Sequence, residues 1–415
     1  MMTILNALGG ALQGIHILDM THVWSGPYCT MMLGELGANV VKVESLTGDQ
    51  FRQALDGSIF PNVNKNKRSI ALNLKEKEGK EVVLKLASKA DVLIENSLPG
   101  AMERLGLGYD RICLLNPPII YCSISGFGQE GPFSERPAYE PVLQAMAGIM
   151  VVTGEPDRPP VRILPGFIDH CGGIFAAFGI VASVLEREKS GKGKRIDISL
   201  LDVALSAMTH FITRFKKTGE LPQRYGSATI IGAPNQNFPT RDGYIYISAI
   251  TDQMFLNVCR ALELDDLAAN PRYSTAPGRI QNRKALAEKL TETTKKYLSE
   301  ELESKLLAMD VPCAKLRTIE EIIQEPHVQS RNIIEEIDYP PMGKVTTIRT
   351  PLFYSGEHLP TQSRAPLLGE HTREVLAELG YDDQKIGELI RRRIALQSEA
   401  PWSVHHVHNG VDTED

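Results

Sequence analysis

The sequence predicts an α/β fold in which helices alternate with the strands of a largely parallel sheet. Short runs typical of buried strands recur in the first third of the chain, at residues 14–20, 40–43, 69–74, 91–95 and 119–124. Segments with helical apolar spacing separate them, including residues 26–38 and 81–88. Because parallel strands need a long crossover connection, usually a helix, this alternation favours a parallel sheet.

The first strand, helix and strand are predicted to form a βαβ unit of an open sheet. Together they span about 30 residues, the usual length of such a unit. No GxGxxG motif lies between the first strand and the helix. The chain therefore lacks the fingerprint of a dinucleotide-binding unit.

The second half of the chain predicts a further group of elements after a change in composition. A helix is predicted at residues 201–217, and its apolar stripe consists of Leu205, Met208, Phe211 and Phe215. Residues 218–236 combine turn residues with polarity, which indicates an interdomain linker. Beyond it we expect a strand at 242–250, helices at 253–262, 284–298 and 300–307, and a last helix at 372–379.

Composition bounds the class of protein. The 415 residues are 42% hydrophobic and 23% charged, which is typical of a globular chain with a large core and two or three domains. The net charge of −6 and the pI near 6.0 argue against nucleic acid or a polybasic membrane surface as a partner. A local basic pocket for a small anionic ligand is still compatible with these values.

The cysteines and the N-terminal segment indicate a cytoplasmic protein. The six cysteines are scattered without CxxC spacing, so neither a zinc site nor a disulfide framework is predicted. The first residues lack a basic n-region, and no apolar run reaches the roughly 18 residues that a membrane-spanning helix needs. We therefore expect no membrane partner.

Asp169 is the candidate residue for chemistry. It follows a turn marked by Pro165 and Gly166, and it precedes Gly172 and Gly173, where another group can approach the backbone closely. An ionised carboxylate in this setting could lie partly desolvated beside a ligand. The alternative is structural, since Asp is a favoured N-cap residue and a helix is expected to start near Gly172.

Several segments together resemble the family III CoA-transferases, also called the formyl-CoA transferase or CaiB-BaiF family. The matching segments, in chain order, are residues 19–44, 66–75, 91–110, 125–132, 138–148, 187–202 and 366–381. The resemblance implies that Asp169 is a covalent nucleophile in CoA transfer. It also implies an interlocked, ring-like dimer and a Rossmann-like large domain built from both chain ends, with a small α/β domain inserted.

Combined with the composition change, the resemblance gives the predicted domain limits. The large domain comprises residues 1–217 and 331–395, and the small domain comprises residues 237–330 after the linker at 218–236. Residues 396–415, which include His405, His406 and His408, show no apolar periodicity and are predicted to be a mobile tail.

The resemblance further implies a set of site residues. Glu140 assists the nucleophile from a facing loop. The positions implied to contact CoA are His22, Val23, Leu72, Lys75, Asn96, Arg104, Leu105 and Tyr139. Coenzyme A and its acyl thioesters are implied as substrates, with no tightly bound cofactor and no metal. Taken singly, Lys75 and Arg104 also fit a solvated surface, and Glu140 an exposed first-turn carboxylate near a helix N-terminus.

The sequence departs from the family pattern at three places. Ser45 stands where close relatives often carry a basic residue that packs on the adenine. Trp24 replaces an amide side chain in the loop facing the active site, so we expect it to narrow or stack on the substrate pocket. The segment after the linker has no glycine run, which argues against formate and oxalate as the substrate pair.

Two other functions compete with CoA transfer from succinyl-CoA or acetyl-CoA to an organic acid. A 2-methylacyl-CoA racemase of the same fold would need a histidine at the position of Tyr139, and its absence favours the transferase. A non-catalytic subunit of a heteromeric transferase could have lost the carboxylate, so Asp169 argues against that role. We expect a homodimer, with a heteromer of similar chains as the alternative. His170 and His371 are predicted to be structural.

Overall fold

The computed structural model describes residues 10–398, which divide into two compact units. The first unit comprises the chain up to Ala147, then Leu164–Thr209, then the part from Gln329 onward. The second comprises Gly148–Ile163 and His210–Val328. Residues 148–163, predicted in the large domain, thus belong to the second unit, as do the predicted linker residues.

A seven-stranded sheet is the centre of the first unit. Its strands are β1 His16–Met20, β2 Asn39–Glu44, β3 Lys67–Leu72, β4 Val92–Glu95, β5 Ile120–Ser125, β6 Lys194–Ser199 and β14 Ala395–Leu396. Their spatial order is β14-β3-β2-β1-β4-β5-β6, and every neighbouring pair is parallel except β14 with β3. The predicted α/β fold with a largely parallel sheet is confirmed.

Helices cover both faces of this sheet. They are α1 Ser25–Glu35, α2 Ile59–Asn64, α3 Lys77–Lys89, α4 Ala101–Leu105, α5 Tyr109–Leu115, α6 Glu140–Met146, α8 Phe167–Ser190, α9 Leu200–Ala207, α18 Thr372–Glu378 and α19 Asp383–Arg391. Apolar residues of α3, α5, α18 and α19 pack on one face against Leu18, Ile70 and Leu93, all at most 1% exposed. On the other face α1 and α8 pack against each other.

Among the described residues one helix, α8, is long enough and apolar enough to cross a membrane, judged by length and composition alone. This criterion allows charged residues, whereas the sequence prediction concerned an unbroken apolar run of about 18 residues, which Asp169 and Glu186 prevent in α8. Helices in protein cores satisfy the same criterion, and α8 buries Ile168, Ala176 and Ile180 within the first unit.

The second unit has its own small antiparallel sheet. Its strands are β7 Asn235–Pro239, β8 Tyr244–Ser248 and β9 Cys313–Lys315, in that spatial order. Its helices are α7 Ile149–Val152, α11 Asp252–Ala261, α12 Asp265–Ala268, α13 Ala276–Gln281, α14 Arg283–Thr294, α15 Ser299–Leu307 and α16 Ile319–Gln324. Phe238, Ile245, Phe255 and Leu302 form part of its core.

The remaining elements lie at the ends of the units. The helices α10 Thr209–Thr218 and α17 Pro326–Arg331 each begin in one unit and end in the other. The first unit also has two hairpins, formed by β10 Ile334–Tyr339 with β11 Gly343–Ile348 and by β12 Phe353–Tyr354 with β13 Glu357–His358. Of the predicted mobile tail, residues 399–415 lie outside the described residues. Leu396, by contrast, pairs with β3.

The single helix predicted at residues 201–217 is two helices, α9 and α10, separated at Met208. Side-chain hydroxyl groups near the break donate hydrogen bonds to backbone carbonyl oxygens. Ser206 Oγ donates to Val203 O at 2.7 Å, and Thr209 Oγ1 donates to Ser206 O at 2.6 Å. Such local bonds compete with the regular helical pattern, and the apolar stripe alone could not reveal them.

Candidate active site

The candidate site lies at the carboxyl edge of the large sheet. The chain leaves β1 towards β2 on one side, and β4 pairs with β1 on the other, so the strand order reverses between them. Ligands of open parallel sheets bind in the crevice at such a reversal. Asn96, after β4, bridges the crevice to the loop after β1. Its Oδ1 accepts from His22 N at 2.9 Å, and its Nδ2 donates to His22 O at 2.8 Å.

Two neighbouring cavities follow this edge. The outer cavity has a volume of about 570 Å³ and includes Leu72, Lys75 and Leu105 in its wall. The inner cavity has a volume of about 430 Å³, and the predicted residues in its wall are Val23, Trp24, Asn96, Arg104, Tyr139, Glu140 and Asp169. His22 and Ser97 line both cavities. The structure therefore brings all eleven predicted site residues to one edge of one sheet.

Asp169 is the third residue of α8, and it does not cap the helix. The helix begins at Phe167, and the residue before it, Gly166, occupies the N-cap position. The structural alternative for Asp169, a cap on a helix starting near Gly172, is thus wrong. Burial, together with the negative charge of Glu140, raises the pKa of Asp169 to about 7. The carboxylate is held where its ionised form is costly.

Glu140 is the first residue of α6 and is buried, at 8% exposure, so the exposed first-turn alternative is also wrong. Gln144 Nε2 donates to Glu140 Oε1 at 2.6 Å and fixes this carboxylate. The backbone of Gly166 lies beside both carboxylates. A Cβ on Gly166 would lie 3.7 Å from Glu140 Cδ and 3.8 Å from Asp169 Oδ2.

An aromatic cluster forms one wall beside Asp169. The ring centroid of His170 lies 5.0 Å from that of Trp24 and 4.8 Å from that of Tyr28, and Phe51 meets Trp24 edge-on at 5.8 Å. His170 Nδ1 lies 3.1 Å from Gly166 O. The predicted structural role of His170 therefore has a physical basis, and Trp24 is fixed by aromatic neighbours.

Two cations lie at the rims of the cavities. The side chains of Lys75 and Arg104 are exposed, and within residues 10–398 neither forms an ion pair. An unpaired lysine and an unpaired arginine can both bind phosphate oxygens, the arginine in a bidentate manner. Ser45, predicted as a departure from the family pattern, lies in the wall of the outer cavity.

Three residues of this region were not predicted from the sequence. Ser125, the last residue of β5, lines the inner cavity, and its buried hydroxyl has no partner within the described residues. Lys42 and Asp49 form a buried ion pair beneath the loop after β1, with Lys42 Nζ 3.1 Å from Asp49 Oδ2. A lysine inside the apolar strand at residues 39–44 was an available signal, because lysine is rarely buried without a partner.

Known proteins are similar to this chain over nearly its whole length. CoA-transferase family III matches residues 12–372. The human succinyl-CoA:glutarate CoA-transferase is 37% identical over 94% of this chain and 90% of its own length. The succinyl-CoA:mesaconate CoA-transferase of Haloarcula marismortui is 37% identical over 90% of this chain and 97% of its own.

A solved structure agrees with the fold. A CAIB/BAIF family protein from Brucella suis superposes with a TM-score of 0.81 at 35% identity, covering 89% of this chain and 99% of its own. The sequence match and the structural match thus agree with the resemblance drawn from the motifs. The chain belongs to CoA-transferase family III and is a CoA-transferase.

Proposed function

We propose that the protein moves CoA from succinyl-CoA, or a similar acyl-CoA, to a short organic acid through covalent intermediates on Asp169. The observation that carries this proposal is the partly buried Asp169 carboxylate, beside Glu140, in a cavity that adjoins a second one large enough for a nucleotide. The similar enzymes are named for glutarate and mesaconate, which are both dicarboxylates. A dicarboxylate is therefore the acceptor class that we favour.

The first step forms a mixed anhydride. A carboxylate oxygen of Asp169 attacks the thioester carbonyl, the C–S bond breaks, and CoA leaves as the thiolate. The thiolate then attacks the aspartyl carbonyl, which releases the donor acid and leaves an aspartyl-CoA thioester. The acceptor acid reverses these two steps and leaves as its own CoA thioester. The free energy of the thioester bond is kept throughout.

The surrounding residues support this sequence of steps by position. We place the nucleotide end of CoA in the outer cavity, near Leu72, Lys75 and Leu105. The pantetheine arm then passes His22, which lines both cavities, and Val23, which lines the inner one. Asn96, Arg104 and Tyr139 line the inner cavity, and Glu140, fixed by Gln144, orients the acyl group.

We also propose that two copies of the chain form an interlocked dimer in the cytoplasm. An apolar stripe of α8 is exposed, and it consists of Ile174, Phe175, Phe178, Ala182 and Leu185. Their spacing places them on one side of the helix. Contiguous exposed apolar residues mark interaction surfaces in globular proteins. The homodimer is our first choice, and a heteromer with a similar chain is the alternative.

The decisive experiment traps the covalent intermediate. The protein is incubated with succinyl-CoA, treated with hydroxylamine or borohydride, and digested for mass spectrometry. We expect modification at Asp169 and loss of CoA transfer in Asp169→Ala. The matched control is Asp202→Asn, which changes the third residue of the neighbouring helix α9 and should retain activity. Labelled succinyl-CoA with a panel of dicarboxylic acids then identifies the acceptor.

Four outcomes would contradict parts of this proposal. Modification at another residue, or full activity in Asp169→Ala, would exclude the aspartyl mechanism. Deuterium exchange at C2 of an acyl-CoA without CoA exchange would identify a racemase. Activity that requires a second, different chain would identify a heteromer.

A further inference from the structure

The loop after β1 is held by side chains from several strands. Lys42 Nζ donates to Thr21 O at 2.7 Å, and Asp19 Oδ1 accepts from Thr21 N at 2.9 Å. The side chain of Asn96 forms hydrogen bonds with both the backbone N–H and the backbone carbonyl of the next residue, His22. Both carboxylate oxygens of Asp49 accept from the backbone N–H of Val23, each at 3.3 Å from the nitrogen. Three consecutive residues of the loop are thus fixed by side-chain hydrogen bonds.

The residue at the centre of this loop has an unfavourable backbone conformation. Val23 has φ of +69°, in the left-handed region that β-branched residues rarely adopt. Such a conformation persists only where surrounding contacts determine it, and it occurs often at functional sites. The next residue is Trp24, whose ring packs beside His170 and lines the cavity that contains Asp169.

Asp49 is itself firmly placed. Its side chain is 1% exposed and that of Lys42 is fully buried. Asp49 Oδ1 also accepts from Phe51 N at 3.0 Å, while Asp49 N donates to Glu44 Oε1 at 3.1 Å. The Asp49 carboxylate that accepts from Val23 N is therefore held in place by hydrogen bonds to residues before and after it in the chain, Glu44 and Phe51.

We infer that Asp49, paired with Lys42, is a positioning residue that holds Val23 in its left-handed conformation and so sets the place of Trp24 and the path of CoA. The inference rests on the proposed function for the ligand, but the loop's order can be measured without CoA or turnover. Asp49 does not line the inner cavity, which contains Asp169, but it does line the outer cavity. Its link to the inner cavity is the hydrogen bond that it accepts from the backbone N–H of Val23.

The competing interpretation is that the pair only stabilises the fold. The chain offers a matched control, since Lys65 and Glu35 form a second buried pair at 3.3 Å with the same side-chain exposures, 0% and 1%. Glu35 accepts from Thr350 N at 3.3 Å, and within residues 10–398 it forms no hydrogen bond or ion pair with residues 21–24 of the loop after β1. Asp49→Asn and Glu35→Gln therefore remove the same charge at equally buried positions, and Lys65 keeps Glu335 as a second partner at 2.7 Å.

The experiment uses the fluorescence of Trp24. The sequence has two tryptophans, so Trp402→Phe leaves Trp24 as the only tryptophan, which can be excited selectively over the tyrosines. In that background we expect Asp49→Asn to raise acrylamide quenching of Trp24 about twofold, because the loop opens locally. CoA affinity, measured by calorimetry, should fall about tenfold, as expected for a displaced binding loop. Glu35→Gln should lower the melting temperature and change neither quantity.

Further variants keep the inference testable if Asp49→Asn does not fold. Asp49→Glu keeps the charge beside Lys42 but displaces the acceptor from Val23, so it should raise quenching in the same direction. Because glycine adopts positive φ readily, Val23→Gly with Asp49→Asn should bind CoA more tightly than Asp49→Asn alone.

Equal quenching in the asparagine and glutamine variants, no change in Asp49→Glu, or no gain from Val23→Gly would each overturn the inference. These measurements need no catalysis. An active Asp169→Ala variant would therefore refute the covalent mechanism without affecting them.

Discussion

At the residue scale, the environment of Asp169 determines how its activity depends on pH. Burial and Glu140 raise its pKa to about 7, and only the ionised form can attack a thioester. We therefore expect kcat/KM to rise with pH through about 7 and to level off above it. In Glu140→Gln, the loss of a neighbouring negative charge lowers the pKa of Asp169, so the midpoint should move to lower pH.

The control for this shift is Glu135→Gln, an exposed carboxylate in the loop before α6. It changes the net charge equally and should leave the midpoint of the pH profile unchanged. A profile that is flat between pH 5 and 9 in the wild-type protein would contradict the assignment, as would equal midpoints in both variants.

The same raised pKa makes Asp169 a cost to folding at neutral pH. The folded protein holds this proton up to about pH 7, whereas the unfolded chain releases it near the ordinary value of 3.8. Stability should therefore fall as pH rises through this interval. We expect Asp169→Asn to raise the melting temperature relative to wild type more at pH 8 than at pH 5. A difference independent of pH would contradict this prediction.

At the element scale, the close packing of α1 and α8 depends on glycine. A Cβ on Gly173 would lie 2.7 Å from Ser25 O and 3.1 Å from Tyr28 Cδ1, at the start of α1. We expect Gly173→Ala to destabilise the fold by about 1–3 kcal/mol, a usual cost of overpacking. Urea unfolding measures the change. Turnover should fall as well, since Ser25 adjoins Trp24.

Gly179→Ala in the same helix is the control. Its Cβ would meet nothing closer than 3.6 Å, to the side chain of Ile196. Alanine should stabilise the helix there by about 0.5–1 kcal/mol. If both alanine variants lost stability equally, close helix packing would not be the cause.

The individual strands were predictable because each is an apolar run of strand length. The prediction at residues 91–95, for example, matches β4, whose four residues are all buried. The break between α9 and α10 could not be predicted, since it depends on the hydrogen bonds of Ser206 and Thr209. Strand β14 could not be predicted either, because a segment of two residues shows no periodicity and its strand conformation comes from pairing with β3.

At the scale of the whole molecule, the exposed stripe of α8 predicts self-association. Phe178 is 72% exposed within this stripe. We expect Phe178→Asp to lower the molar mass in light scattering from that of a dimer to that of a monomer, because a buried charge in an apolar interface is costly. Leu114→Asp on α5, where Leu114 is 86% exposed, is the control and should leave the mass unchanged. An unchanged mass in Phe178→Asp would contradict the interface.

The composition of the candidate site was predictable only in part. Asp169 alone could not be separated from a helix cap, and the ordered motifs of the family were needed to favour it. The ion pair of Lys42 with Asp49 could not be predicted from the sequence, because it depends on the path of the chain between the two residues. The same applies to Ser125, because the lack of a hydrogen-bond partner for its hydroxyl among residues 10–398 depends on its surroundings and not on its residue type.

The antiparallel strand β14 and the helices before it also constrain the order of events on the ribosome. Arg68, at the start of β3, pairs with Glu374 and Glu378, more than 300 residues later. The outer edge of β3 therefore has no strand partner until more than 300 further residues have been synthesised. The core residues 233–311 are contiguous and can assemble earlier. Ribosome-bound chains that end before β14 should consequently depend most on chaperones that cover exposed strand edges.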